Sequence, residues 1–196
     1  MTEDTELRSM VADELTRLAD LLEGLPEAQW DTRSLCQGWR VREVIAHMTM
    51  AARYTDEEFA AELRAQDFDF TRLSDHLAGR DADLPTTALI DDLRSERMRA
   101  WIPPGGGRRG ALNHAVIHGL DAAVPLGLRR HVADETMRFV LDDLTRGAVH
   151  EYFGTDHRGR RLEAADLDWS YGEGTPLRGP AEDLALTLCG RAHDLE

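Results

Sequence analysis

The chain has 196 residues, 42% of them hydrophobic, which suits one sizeable domain or one domain with a small appendage. Acidic residues outnumber basic ones 37 to 23 and the formal charge is −14, with no block rich in Lys and Arg, so nucleic acid and anionic membrane are poor partners. The opening MTEDTELRSM is acidic and polar, no segment holds roughly 18 uninterrupted apolar residues, and Cys36 and Cys189 are too few for a disulfide framework; a cytoplasmic location with reduced thiols is the expectation.

In chain order, Leu7, Val11, Leu15, Leu18 and Leu22 recur at helical spacing and Gly24 with Pro26 closes the run, predicting a first helix over residues 4–23. A loop follows over 24–38. The pattern Val41, Val44, Ile45, Met48, Ala52 predicts a second helix running on towards Leu63, with His47 at the edge of its apolar stripe. After a polar, aspartate-rich link, Leu89, Ile90, Leu93, Met98 and Trp101 mark a third helix that PPGGG must end. Residues 109–124 form the fourth helix. Asp134 is the expected N-cap of a fifth, with Met137, Val140, Leu141 and Leu144 on one face, ahead of the polar turn FGTDHRGRR. Leu167, Trp169 and Tyr171 then alternate with polar residues, GEG signals a turn, TPLRG returns as a second strand, and Pro180 opens a last short helix. The expected fold is mostly α: an antiparallel four-helix bundle with the fifth helix over 1–150, and a small α/β appendage, hairpin plus helix, over 151–196.

The fourth helix carries the candidate chemistry. At about 100° per residue, His114, His118 and Asp121 share one narrow arc, flanked by Ala111, Ala115 and Ala122 on one side and Ile117 and Val124 on the other. A polar group facing a core costs on the order of 1 to 3 kcal/mol unless it is satisfied. Histidines four apart lie roughly 5 to 6 Å apart at Cβ, which suits two metal ligands. The bland alternative is a pair of satisfied core or surface histidines. His47, also at a core edge, supplies a third imidazole, and three neutral imidazoles with an open position form a catalytic zinc arrangement. Asp121 then orients a histidine through its far ring nitrogen or, alternatively, is an ordinary helix-end carboxylate.

No other histidine joins this cluster: His150 in HEYFG lacks a zincin's second histidine, and His76, His131, His157 and His193 sit in charged or turn-like surroundings, expected to be solvated. PPGGGRRG lacks the Lys-Ser/Thr sequel of a phosphate loop. Cys36 lies near the start of the second helix, where a dipole lowers thiol pKa, but is read as a packing residue. No Ser/His/Asp triad is recognisable.

The stretch SLCQGWRVREVIAHM, residues 34–48, resembles the C-x-G-W-x-V-x-x-x-x-x-H signature of DinB-like proteins in their actinobacterial branch, the mycothiol-dependent maleylpyruvate isomerase-like family. VIHGLDAAVPLG, LEAADLDWSYGEG and RGPAEDLALTLCGR resemble that branch's second signature and its C-terminal segment, in the right order. The resemblance implies a DinB-type four-helix bundle holding a divalent metal, usually zinc, with a thiol cofactor, mycothiol, delivered to it. His47 and His118 match metal ligands, and His114 matches a position that is a glutamate in the isomerase type. Leu120 replaces the usual tryptophan before Asp121, and Arg191 falls in the terminal Gly-Arg motif, where an arginine is implicated in the isomerase-type proteins.

The leading expectation is thus a metal- and mycothiol-dependent transferase or isomerase acting on a small electrophile, with His47, His114 and His118 on the metal and Asp121 and Arg191 in catalytic roles. The same zinc activating water would give a hydrolase of thiol conjugates or amides, and a metal-binding module without catalysis is the third reading.

Overall fold

The structure, a computed structural model, describes residues 2–128, 132–147 and 149–191. Contacts divide the chain into two compact units, Met1–Arg130 and His131–Glu196.

In the first unit α1 (Glu3–Glu23) opens with Glu3, Asp4 and Glu6, which complement the positive end of the helix dipole. It buries Leu7, Val11, Leu15, Leu18 and Leu22, the stripe its sequence predicts, and ends at Gly24. A 3-10 turn (Glu27–Asp31) sets Trp30 into the core. The helices α2 (Val41–Met48), α3 (Met50–Arg53), α4 (Asp56–Ala65), α5 (Phe70–Asp81), α6 (Thr86–Leu93), α7 (Glu96–Ala100) and α8 (Gly107–Ala123) follow, with a closing 3-10 turn (Val124–Leu126). The core lies where α1 packs on α6 and α8, and α2 on α5, α6 and α8. Each buried leucine there contributes about 1.5 to 3 kcal/mol through apolar burial.

Three expectations are corrected here. The second helix does not run on to Leu63: it stops at Met48, where Thr49 Oγ1 donates to the carbonyl of Ile45 at 2.7 Å. The break is held by Arg53, whose Nη2 donates to the carbonyl of Ala46, which the interrupted helix leaves without its amide. Its Nε donates to Asp81 Oδ2 at 3.0 Å, and its Nη1 to Asp92 Oδ2 and Thr49 Oγ1, each at 2.7 Å. Tyr54 Oη donates to the same buried Asp81. The aspartate-rich link likewise contains a helix, α5, capped by Asp69 accepting the Arg72 amide, with Leu73 and Leu77 buried against Met50 and partly covered by Tyr54, Phe59 and Leu63. The third predicted helix is divided into α6 and α7 by a fresh cap at Ser95.

Replacing Arg53 by methionine keeps the stem and removes the fork. Breaking a buried ion pair costs about 3 to 5 kcal/mol, and because Tyr54 and Arg80 still serve Asp81, a loss of about 3 kcal/mol in urea unfolding is expected. A loss within about 0.5 kcal/mol, as at an ordinary surface site, would show that the break does not depend on this fork.

In the second unit, α9 (Asp134–Leu144) buries Met137, Val140, Leu141 and Leu144 and packs against α11 (Ala181–Leu188). That pairing places the fifth helix with the tail, so the boundary falls before it and not after residue 150. Its N-cap is Ala133, with Asp134 as the first helical residue. A short α10 (Val149–Tyr152) leads to β1 (Arg160–Ala164), β2 (Ser170–Tyr171) and β3 (Thr175–Gly179), in sheet order β2-β1-β3. The expected two-strand hairpin is corrected: TPLRG does not return along the Tyr171 strand but runs parallel to β1, from Arg160↔Thr175 to Ala164↔Gly179, while β2 pairs with β1 antiparallel through Leu162↔Tyr171. The turn between β2 and β3 therefore crosses the start of β1. Gly172 (φ +80°) and Gly174 (φ +121°) make that crossing; a Cβ at Gly172 would lie 2.6 Å from the Arg160 carbonyl oxygen and one at Gly174 2.1 Å from that of Gly159. Trp169 donates its Nε1–H to Asp142 on α9 at 2.8 Å, tying strand edge to helix.

Candidate metal centre

The helix α8 is buried on most of its circumference, with Ala111, Leu112, Ala115, Val116, Ile117, Leu120, Ala122 and Ala123 among its covered residues, so its polar stripe is carried into the protein. His114 and His118 stand one turn apart on it, half-buried, and His47 meets them from the last turn of α2, 7% exposed. His47 Nε2 and His114 Nε2 are 3.3 Å apart. The ring centroids lie 5.3 Å (His47 to His114), 5.0 Å (His47 to His118) and 4.8 Å (His114 to His118) apart. One nitrogen from each falls within 4.8 Å of the others.

Burial, reinforced by the His118 charge, pushes the His47 pKa down to about 3 against a smaller opposing pull from Asp121. Burial does the same to His114, held well below the ordinary histidine value. Both imidazoles are therefore neutral near pH 7 and offer lone pairs. Tetrahedral zinc with bonds of 2.0 to 2.1 Å sets its ligand nitrogens roughly 3.3 to 3.4 Å apart, and the His47 to His114 separation meets that spacing. The donor set thus fits a divalent cation of borderline softness. His47 Nδ1 is buried without a partner among the described residues.

Asp121, fully buried, lies 3.0 Å through Oδ2 from His118 Nδ1. An Nδ1–H donated there leaves Nε2 of His118 bare, the arrangement by which carboxylates orient metal-binding histidines. Cys36 donates its thiol proton to the same oxygen at 3.1 Å, and its Sγ is 3.7 Å from His118 Nδ1. Packing alone, the expectation for Cys36, understates it: this thiol belongs to the polar network behind His118. Trp39 lies with its ring 5.0 Å from that of His47, and Trp101 5.0 Å from that of His114, so indoles wall two of the three imidazoles. Periodicity marks Trp101 only as a core residue of the third predicted helix and His47 as the edge of an apolar stripe; Cys36 and Trp39 are legible only as parts of the signature.

The signature's residues have local reasons. Ser34 Oγ accepts the Cys36 amide at 3.1 Å and donates to the Trp39 carbonyl at 2.9 Å, the Trp39 amide returns to the Cys36 carbonyl at 3.1 Å, and Gly38 (φ +84°) takes the left-handed turn. Trp39 Nε1–H reaches Asp75 on α5 at 2.9 Å. Arg40 then caps α2, its amide donating to Glu43 Oε2 at 2.8 Å.

Arg191 is in the second unit, where its Nη1 donates to the carbonyl of Cys189 at 2.8 Å. His76 is exposed as expected, whereas His157 is half-buried; His131 and His193, and the side chain of His150, lie outside the described residues. Among the described residues no helix is long and apolar enough to cross a membrane.

Residues 11–101 match the family model described as the mycothiol maleylpyruvate isomerase N-terminal domain. No curated protein matches the chain by sequence. In fold the chain is similar to the crystal structure of the mycothiol-dependent maleylpyruvate isomerase, with a TM-score of 0.65 at 14% identity over 99% of this chain and 92% of that one. A histidine-to-alanine mutant of the mycothiol-dependent maleylpyruvate isomerase matches with a TM-score of 0.62, also at 14% identity, over 97% and 90%. The matched stretch lies within the first unit, and together with the likeness in fold it supports the resemblance to the DinB-like, maleylpyruvate isomerase-like family.

Proposed function

We propose that the chain is a metal- and mycothiol-dependent isomerase or transferase acting on a small electrophilic substrate, with zinc held by His47, His114 and His118. The observation that carries the reading is the convergence of three imidazoles within 4.8 Å of one another, two of them held neutral by burial and His47 and His114 at the spacing of a tetrahedral cation's ligands. When bound there, a divalent cation with three neutral ligands keeps its full charge and supplies Lewis acidity that favours a thiolate over a thiol.

The chain's own contributions follow from the geometry. Asp121 fixes the tautomer and direction of His118. Trp39 and Trp101 cover the flanks of His47 and His114 and keep bulk water from those rings. Arg191 falls in the Gly-Arg motif where the resemblance implicates an arginine, and its guanidinium can hold a carboxylate of substrate or cofactor in a fixed, paired orientation. The chain's excess negative charge means that affinity for a small anion rests on such local groups and not on general attraction.

The test is metal analysis of the purified protein together with a screen of small electrophiles with and without mycothiol. One cation per chain and consumption that requires mycothiol are expected. Equal turnover without the thiol would replace this reading by a hydrolase, and bound metal with no turnover by a binding module.

A further inference from the structure

The thiol of Cys36 has no place among the three proposed ligands, yet the chain takes care to put it where it is. The turn from Ser34 to Trp39 is closed by Ser34 Oγ on both sides of Cys36 and by the amide of Ser34 donating to the Trp39 carbonyl at 3.0 Å. The next amide, Leu35, donates to the backbone carbonyl of Asp121 at 3.1 Å, so this turn grips the same residue through main chain and side chain alike. A carboxylate's terminal torsion is broad and has no strong preference of its own. Among the described contacts of Asp121, two donors share its Oδ2, His118 Nδ1 at 3.0 Å and Cys36 Sγ at 3.1 Å, and together they bear on that torsion.

We propose that Cys36 is a positioning residue for His118: by holding Oδ2 of Asp121 in one orientation, it keeps the His118 proton on Nδ1 and the bare Nε2 turned towards His47 and His114. For its consequence on metal affinity this rests on the metal reading above, while the tautomer it requires can be read in the metal-free chain. The contact to Asp121 spans 85 residues of sequence and joins the loop before α2 to the C-terminal half of α8. The turn that places Trp39 over His47 is thus also the turn that aims His118.

The experiment compares wild type, Cys36→Ala and Cys36→Ser in two measurements: zinc affinity by chelator competition, and imidazole nitrogen-15 spectra of the metal-free protein, which report the His118 tautomer. Cys36→Ala should lower zinc affinity about tenfold, the lower end of what outer partners of metal ligands contribute, and should replace a single Nδ1–H form of His118 by a mixture. Cys36→Ser keeps a donor at the same place and should stay close to wild type in both. The inference is overturned if Cys36→Ala keeps wild-type affinity and a single tautomer, or if Cys36→Ser falls as far as Cys36→Ala, since sulfur or volume and not the donated proton would then matter. A wild-type chain that takes up no zinc would sink the proposed function, and the tautomer comparison would still decide the role of Cys36.

Discussion

Replacing His114 with alanine is expected to remove both the stoichiometric metal and the mycothiol-dependent turnover while leaving the first unit folded. Its Nε2 is one of the two facing nitrogens at 3.3 Å, and without it the remaining pair offers a chelate too open for a tetrahedral ion. Affinity should fall by more than the roughly 10- to 100-fold that loss of an outer partner costs. Folding should tolerate the change, because His114 enters the core as a desolvated polar ring and the unit is held by the apolar faces of α1, α2, α6 and α8. Arg191→Ala is the contrasting variant: it should keep full metal content and lose thiol-dependent turnover. Metal content by mass spectrometry, alongside turnover, separates the two, and undiminished zinc in the His114 variant would refute the ligand assignment.

Replacing Gly174 with alanine is expected to destabilise the second unit by about 3 kcal/mol or more, combining the cost of a sparsely populated backbone region with that of overpacking. At φ +121° the position already disfavours an L side chain, and the added Cβ would sit 2.1 Å from the oxygen, 2.4 Å from the carbonyl carbon and 3.0 Å from the Cα of Gly159. No flexible side chain can yield there, because every one of those atoms is backbone. Nor can the strand retreat cheaply, since the Thr175 amide donates to that same oxygen at 2.9 Å to start the β1–β3 ladder. Hydrogen exchange over 160–164 and 175–179, read beside denaturant unfolding, should show the ladder opening. A change within about 0.5 kcal/mol, as at an ordinary surface site, would mean that the crossing is not where the structure places it.

What could be read from the chain alone followed apolar periodicity. The first helix, α9 and α11 each bury the residues their spacing marks, because a one-sided stripe leaves few alternatives. The α5 helix was hidden since Leu73 and Leu77, one turn apart, are its only large apolar residues in the core, beside Ser74, Ala78 and Asp81. The break after Met48 was invisible because its cause, the Arg53 fork, takes acceptors from Asp81 and Asp92, 28 and 39 residues away. The strand RRLEA was missed, its two arginines being read into the polar turn FGTDHRGRR, because Leu162 is its one fully covered side chain and the centre strand of a small sheet need not alternate in polarity when its arginines stay in water. At the site, His47, His114, His118 and Asp121 were legible from helical geometry together with the signature, whereas the hydrogen bond that gives Cys36 its place is a tertiary fact with no local trace.

The imidazoles of His47 and His114 are brought together from positions 67 residues apart. In an unfolded chain they are separate, weak donors; only the folded first unit presents them as one chelate. On the proposed reading, metal is therefore a partner of the native state alone, and stability gains RT ln(1 + [M]/Kd), about 2.7 kcal/mol when free cation exceeds Kd a hundredfold. The unfolding temperature then becomes a gauge of metal supply, and a melt recorded in chelator and one recorded in excess zinc describe two different equilibria of the same chain.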